Sequence, residues 1–282
     1  VIVVTGASGV IGRVLMARLR SDGIEAIGVR REAFDLASGA SLAAFIGRRP
    51  AAVVHLAAAV PHSTHYPDSE ASAAKTRAAD RTVRDAALEW GCRVVYASTC
   101  SLYDKHAATV KFEDTPVVVR QDSPYMQAKH EGEKMFAALP SHGILRVPAP
   151  IGPGLPDAVV AKRFFNQAAA GQTIRVWGTG KREQNYVDVR DIADMFLRAV
   201  HSTSQGVFNV SADAPTTMLE LAAAMARVVP RASFELAGVP DPLGQEYTRY
   251  SNARAREVLG WAPTASLEDS IRSMYEAQYE AG

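Results

Sequence analysis

Tyr125 and Lys129 stand four residues apart just after Ser123-Pro124, at what reads as the start of a helix. Residues at that spacing share one helix face. A phenol ionises near pH 10 and is a poor acid–base group at neutral pH, but a nearby ammonium favours the phenolate and brings it toward the working range. The second constellation is Thr5-Gly6-Ala7-Ser8-Gly9-Val10-Ile11-Gly12. Glycines at this spacing let a strand turn sharply into a helix, let backbone approach a phosphate, and let the helix pack tightly on a sheet. The free N–H groups of the first helical turn, with the positive end of the helix dipole, then hold an anionic pyrophosphate.

These groups need a frame, and the pattern supplies one. The apolar run Val1-Ile2-Val3-Val4 precedes the glycine turn, and Leu15, Met16 and Leu19 continue a helical stripe after it. Further strands are expected at 25–29, 52–56, 94–97 and 143–147, separated by helices near 41–48, 71–90 and 125–138. Alternation of this kind predicts an α/β fold, a Rossmann-type doubly wound parallel sheet whose ligands bind beyond the carboxyl ends of the strands. Beyond residue 150 the chain turns to Pro- and Gly-rich loops, which predicts a smaller substrate lobe. The expected division is 1–150 with about 181–211 for the dinucleotide, and about 151–180 with 212–282 for the substrate.

A hydrophobic fraction of 48% and a charged fraction of 22% over 282 residues describe a globular chain with ample core. A net charge of +1 gives no electrostatic reason to expect nucleic acid or a membrane surface as partner. Two cysteines, Cys92 and Cys100, cannot build a disulfide framework, and a cytoplasmic enzyme is expected. His62 and His65 have no further ligands at suitable spacing, so no metal site is expected.

Taken together, these motifs resemble the extended short-chain dehydrogenase/reductase family, which contains nucleotide-sugar epimerases, dehydratases and 4-ketoreductases. The resemblance rests on the glycine turn, His55-Leu56-Ala57-Ala58 after a strand that it counts as fourth, Ala97-Ser98-Thr99-Cys100-Ser101-Leu102-Tyr103, and Tyr125 with Lys129. It continues in Leu145-Arg146-Val147-Pro148, Ile151-Gly152-Pro153-Gly154, Trp177-Gly178-Thr179-Gly180 before Arg182, Tyr186-Val187-Asp188-Val189 and Leu259-Gly260-Trp261-Ala262-Pro263. It implies that Tyr125 transfers the proton, that Lys129 holds the nicotinamide ribose and lowers the tyrosine pKa, and that Thr99 hydrogen-bonds the reacting oxygen. It also implies that Ser98, Thr99, Cys100, Ser101, His62, Asn166, Arg182 and Tyr125 face a nucleotide-activated sugar, although Cys100 itself is expected to pack. The cofactor would lie against Gly6, Ser8, Gly9, Val10, Ile11, Gly12, Arg30, Arg31, Asp35, Leu36, Leu56, Ala57, Ala58, Val147 and Pro148. A homodimer through helices near 71–90 and 125–138 is implied as well.

Cofactor choice is read at the end of the second strand. Relatives that use NAD usually place a carboxylate where this chain has Arg30, and guanidinium groups there pair with a 2′-phosphate, so NADP(H) is favoured. Glu32 keeps NAD(H) open. The expected activity is NADPH-dependent 4-keto reduction of a nucleotide-linked deoxysugar. An NAD-dependent epimerase is the alternative, a dehydratase is disfavoured because Thr99-Cys100-Ser101 has no adjoining Asp-Glu pair, and a non-catalytic dinucleotide sensor is a minor third reading.

Overall fold

The computed structural model describes residues 1–61 and 67–279. Its centre is a six-stranded parallel sheet of β1 (Ile2–Thr5), β2 (Ala26–Val29), β3 (Ala52–His55), β4 (Arg93–Thr99), β5 (His142–Val147) and β10 (Val207–Asn209). The order is β10-β5-β4-β3-β1-β2, so the winding reverses between β1 and β3. In an open parallel sheet that reversal opens the crevice where ligands bind. β1 is buried at every position, which is why it reads as an unbroken apolar run instead of an alternating one.

Helices cover both faces. On one side α1 (Val10–Ser21) and α6 (Val189–His201) share a core with Leu15, Leu19, Phe196 and Phe208. On the other, α2 (Leu42–Ile46), α3 (Glu70–Trp90) and α4 (Pro124–Ala137) bury Leu42, Val83, Trp90 and Phe136. Ser69 caps α3, and Ser123 caps α4 with Pro124 in its first turn, so both helices start where the sequence places a hydroxyl. The strand counted fourth from the resemblance is third in the chain. Between β2 and β3 there is only the short helix α2, and the extra strand of a longer connection is missing.

A separate core forms from β6 (Ala149–Ile151), α5 (Val160–Ala169), β7 (Thr173–Val176), β9 (Tyr186–Asp188), α7 (Met218–Val228) and α9 (Leu267–Tyr279), with β12 (Ser233–Leu236) pairing β7 and β8 (Glu183–Gln184) pairing β11 (Thr216–Thr217) beside it. The helix α8 (Ala253–Leu259) and Trp261 do not join it. They pack into the α1–α6 core, where the Trp261 indole N–H donates to the Asp191 carbonyl at 2.9 Å. Residues 253–261 therefore belong physically with the sheet, which moves the expected division of the chain at this point.

Deep in the sheet lies an ion pair between strand and helix. The Arg146 guanidinium of β5 donates to both Glu133 oxygens of α4, at 2.8 and 2.7 Å, and both side chains are buried. Ser98 of β4 donates to the same carboxylate, while Arg146 also donates to the Tyr103 hydroxyl, which in turn donates to Asn209 of β10. Three strands and one helix are fastened at a point no apolar contact could specify. Breaking a buried pair leaves an uncompensated charge, at a cost of roughly 3–5 kcal/mol. Glu133→Ala should therefore lose about that much unfolding free energy in a denaturant titration. A loss under about 1 kcal/mol, the value of an exposed pair, would show that the pair does not hold the sheet.

Candidate active site

The glycine turn does what its spacing requires. Gly6 has φ +66°, and a Cβ there would meet the Ala57 nitrogen at 2.8 Å. At Gly12 a Cβ would overlap the Gly6 carbonyl oxygen and lie 2.8 Å from the Ala7 Cα. Around Gly9, by contrast, only the Gly6 oxygen lies within reach, at 3.2 Å, and no side chain caps α1. A dinucleotide pyrophosphate fits this cradle, because the backbone is open to close approach and the first-turn N–H groups of Val10, Ile11 and Gly12 have no intrahelical partners. Ser8 is exposed beside them, and Leu56, Ala57 and Ala58 line the crevice half-buried, with Val147 and Pro148 at the end of β5.

At the end of β2, Arg30 is exposed and shares a cavity of about 220 Å³ with Arg13 and Arg20 of α1, over a floor of Ala7, Met16, Ala17 and Gly28. The sequence reading named only Arg30 of these three. Arg13 also reaches back to the Ser8 carbonyl at 2.7 Å and to the Gly154 carbonyl at 3.4 Å, across to the second lobe. Arg31, Glu32 and Asp35 are exposed nearby. The Asp35 carboxylate is used locally, accepting from the Ala37 N–H, and Leu36 is buried with its carbonyl bound by Thr82.

Tyr125 and Lys129 project from the first turns of α4 toward the ends of β4 and β5. The carboxylate of Asp68, which sequence reasoning missed, holds this helix start by accepting from the Tyr125 N–H at 2.9 Å and the Ser123 hydroxyl at 2.6 Å. Thr99, buried at the end of β4, engages the Tyr125 hydroxyl and accepts from the Ser101 N–H at 3.1 Å. The expected lowering of the tyrosine pKa by Lys129 is corrected here. Burial pushes the Tyr125 phenol up to about 12, with Asp68 adding to the rise and Thr99 opposing it. The ammonium of Lys129 is aimed elsewhere, donating to the Ala97 carbonyl at 2.7 Å and lying 4.6 Å from the centre of the Tyr96 ring. Burial holds Lys129 below the usual lysine range, and Asp80 and Glu133 oppose that shift.

Two residues expected at the sugar are not free to meet it. Ser98 is committed to Glu133, and the Cys100 thiol is buried, donating to the Arg146 carbonyl at 3.2 Å, with its pKa raised by burial. Ser101 is half-buried at the rim. Asn166 lies on α5 and donates to Asp157 at 2.9 Å. His62 and His65 lie outside the described residues. The Arg182 guanidinium is buried but already paired, 2.7 Å from Asp241 and 3.8 Å from Glu246. The buried Tyr186 hydroxyl, near enough for the Arg182 charge to oppose the rise of its pKa on burial, has no hydrogen-bond partner among the described residues. Among the described residues, no helix is long and apolar enough to cross a membrane, and no group of three or more His, Cys, Asp or Glu is placed to hold a metal ion.

A glycine cradle at the reversal point of a parallel sheet, with a hydroxyl, phenol and ammonium beside it, defines a Rossmann-type dinucleotide enzyme. Residues 2–211 match the NAD dependent epimerase/dehydratase family, and the chain belongs to that family. A UDP-glucose 4-epimerase of Mycolicibacterium smegmatis is 31% identical, over 97% of this chain and 96% of the relative. A dTDP-6-deoxy-L-talose 4-dehydrogenase (NAD(P)(+)) of Kitasatospora kifunensis is 28% identical, over 99% and 96%. Among solved structures, UDP-glucose 4-epimerase of Thermus thermophilus in complex with NAD superposes with a TM-score of 0.85 at 22% identity, covering all of this chain and 99% of its own.

The cradle makes one sharp demand. Gly12→Ala should weaken dinucleotide binding at least about tenfold, since the new methyl displaces the Gly6 carbonyl and the turn beneath the pyrophosphate. Titration of NADH and NADPH fluorescence checks this, and unchanged affinity would mean that the pyrophosphate lies elsewhere.

Proposed function

We propose that this enzyme reduces the 4-keto group of a nucleotide-linked deoxysugar with NADPH. The observation that carries the reading is the cavity of Arg13, Arg20 and Arg30 beside the glycine turn. Among the described residues no side-chain carboxylate lines it, and Arg30 with the neighbouring Arg13 and Arg20 suits the charge and oxygen geometry of a 2′-phosphate. The cofactor, when bound, supplies a hydride to the sugar carbonyl carbon.

The chain's own residues do the rest. Tyr125 donates its proton to the carbonyl oxygen as charge develops there, and a phenol kept protonated by burial is suited to that role in the reducing direction. Thr99 steadies the same oxygen, and Lys129 holds the nicotinamide ribose. On the substrate side, Arg182 with the buried Tyr186 hydroxyl would receive the diphosphate, exchanging an internal ion pair for a charged ligand. The homodimer belongs to the same proposal. The outer face of α3 and α4 presents Leu88 and the Arg77–Glu131 pair for it.

A second reading has its own support, the relative at 31% identity named as a UDP-glucose 4-epimerase. It would make the reaction redox-neutral overall, with NAD retained. Mass analysis of dinucleotide released from the purified protein separates the two, followed by assay with NADPH and a dTDP-4-keto-6-deoxyhexose and, separately, with UDP-glucose. NADPH oxidation with the keto sugar is the expected result. Retained NAD and conversion of UDP-glucose to its 4-epimer would replace the reductase reading.

Two variants sharpen the test. Arg30→Asp should cut NADPH affinity by about tenfold or more while sparing NADH, and equal losses for both would detach the arginines from the 2′-phosphate. Tyr125→Phe should lower turnover by a factor of about 10² to 10⁴ with dinucleotide binding retained. Undiminished turnover would remove Tyr125 from the proton transfer.

A further inference from the structure

Behind Lys129 lies a buried polar chain that the proposed mechanism does not use. The Ala57 N–H donates to the Thr5 hydroxyl at 3.3 Å, and Thr5 lies 2.6 Å from Nδ1 of His55. Nε2 of the same ring lies 2.9 Å from one Asp80 oxygen. The Tyr96 hydroxyl donates to the other Asp80 oxygen at 3.2 Å. Asp80 is 1% exposed and His55 fully buried. A carboxylate in such surroundings is costly unless a cation offsets it.

The cation is found by following the charges. Around Lys129 stand Asp80 from α3, Glu133 and Tyr125 from α4 itself and Tyr96 from β4, with His55 of β3 and Arg146 of β5 behind them. Glu133 is bound at both oxygens by Arg146 and is thereby compensated. Among the described residues, Asp80 is hydrogen-bonded by the His55 imidazole and the Tyr96 phenol, and its charge favours the Lys129 ammonium more than that of Glu133 does. The approach of Asp80 to α4 depends on Gly132, one turn beyond Lys129. A Cβ at Gly132 would overlap the Tyr96 hydroxyl and lie 2.7 Å from Oδ2 of Asp80.

We propose that Asp80, oriented by His55 and Tyr96 and admitted against α4 by Gly132, is the counter-charge of the Lys129 ammonium and so a positioning residue for proton transfer at Tyr125. The chain of bonds begins at Ala57, on the wall of the dinucleotide crevice, so the counter-charge is built into the same rigid unit as the cofactor cradle. The role given to Lys129 rests on the proposed function. The pairing of Asp80 with Lys129 does not.

The test is a ¹⁵N NMR titration of lysine Nζ in wild type and Asp80→Asn, with the Lys129 signal assigned by its loss in Lys129→Met. In the wild type, Nζ of Lys129 should carry the ammonium shift from about pH 6 to 9 despite burial, and a neutral amine there would overturn the proposal. Asp80→Asn keeps the shape and removes the charge, so Lys129 should titrate lower by about one unit or more, and the alkaline limb of kcat with NADPH and a dTDP-4-keto-6-deoxyhexose should move down with it. Asp80→Ser, which leaves a hydroxyl for His55, should do the same if the amide disturbs folding. A folded variant whose Lys129 titrates as in wild type reduces Asp80 to a structural role. If Lys129→Met retains turnover, the role assigned to Lys129 fails while the titration still decides the pairing.

Discussion

Four charged side chains buried between α4 and the sheet, Glu133 with Arg146 and Asp80 beside Lys129, form the constraint on which the structure depends. Apolar packing tolerates sliding by a fraction of a residue, because dispersion and burial have little directional preference. A bidentate guanidinium–carboxylate pair does not, since displacement leaves a charge unmatched in a poorly solvating interior. The height and rotation of α4 are thus fixed against β4 and β5. Tyr125 and Thr99 meet because Glu133, two turns further along the same helix, is clamped to Arg146.

The same logic distinguishes the arginines at the two ends of the crevice. Arg30 lines a cavity with two other guanidinium groups and, among the described residues, without a carboxylate, whereas Arg182 is matched by Asp241 and Glu246. An anion arriving at the first cavity relieves repulsion among like charges. One arriving at Arg182 must compete with an ion pair already formed, so its net gain is smaller than a contact inventory suggests. On the proposed reading the cofactor phosphate is then the stronger electrostatic anchor, and the sugar nucleotide binds more by fit to the second lobe.

The parts legible in the sequence were those governed by local rules. β1, the glycine turn and α1 follow from apolar runs and glycine spacing, and the start of α4 follows from Ser123-Pro124. The parts that were not legible depend on partners distant in the chain. Nothing near Arg182 signals Asp241, 59 residues on, and nothing near Ser98 or Cys100 signals that Glu133 and the Arg146 carbonyl would claim them. Asp80 sits in a helix rich in charged residues, where one buried carboxylate looks like any solvated one. Nothing in the sequence of α1 marks Arg13 and Arg20, and only the approach of β2 brings them to Arg30. The Tyr125 pKa failed for a related reason. Sequence spacing places the ammonium near the phenol, but the Ala97 carbonyl and the Tyr96 ring draw it inward.

On the proposed reading α4 serves both as a structural beam and as the bearer of the reacting groups, which links stability and chemistry along one helix face. Tyr125, Lys129, Gly132 and Glu133 lie within three turns, with the Lys129 ammonium drawn inward to the Ala97 carbonyl and Glu133 clamped to Arg146. A substitution at Glu133 or Gly132 would alter the environment of Lys129 without touching a ligand, and would resemble damage to the catalytic machinery in an activity assay. The two effects separate in their pH dependence. A helix displaced as a body misplaces Tyr125 at every pH, whereas a changed electrostatic environment moves the pH at which Lys129 loses its proton. On the proposed reading the buried carboxylates set two different properties of one helix, Glu133 its position and Asp80 the charge it carries toward the site.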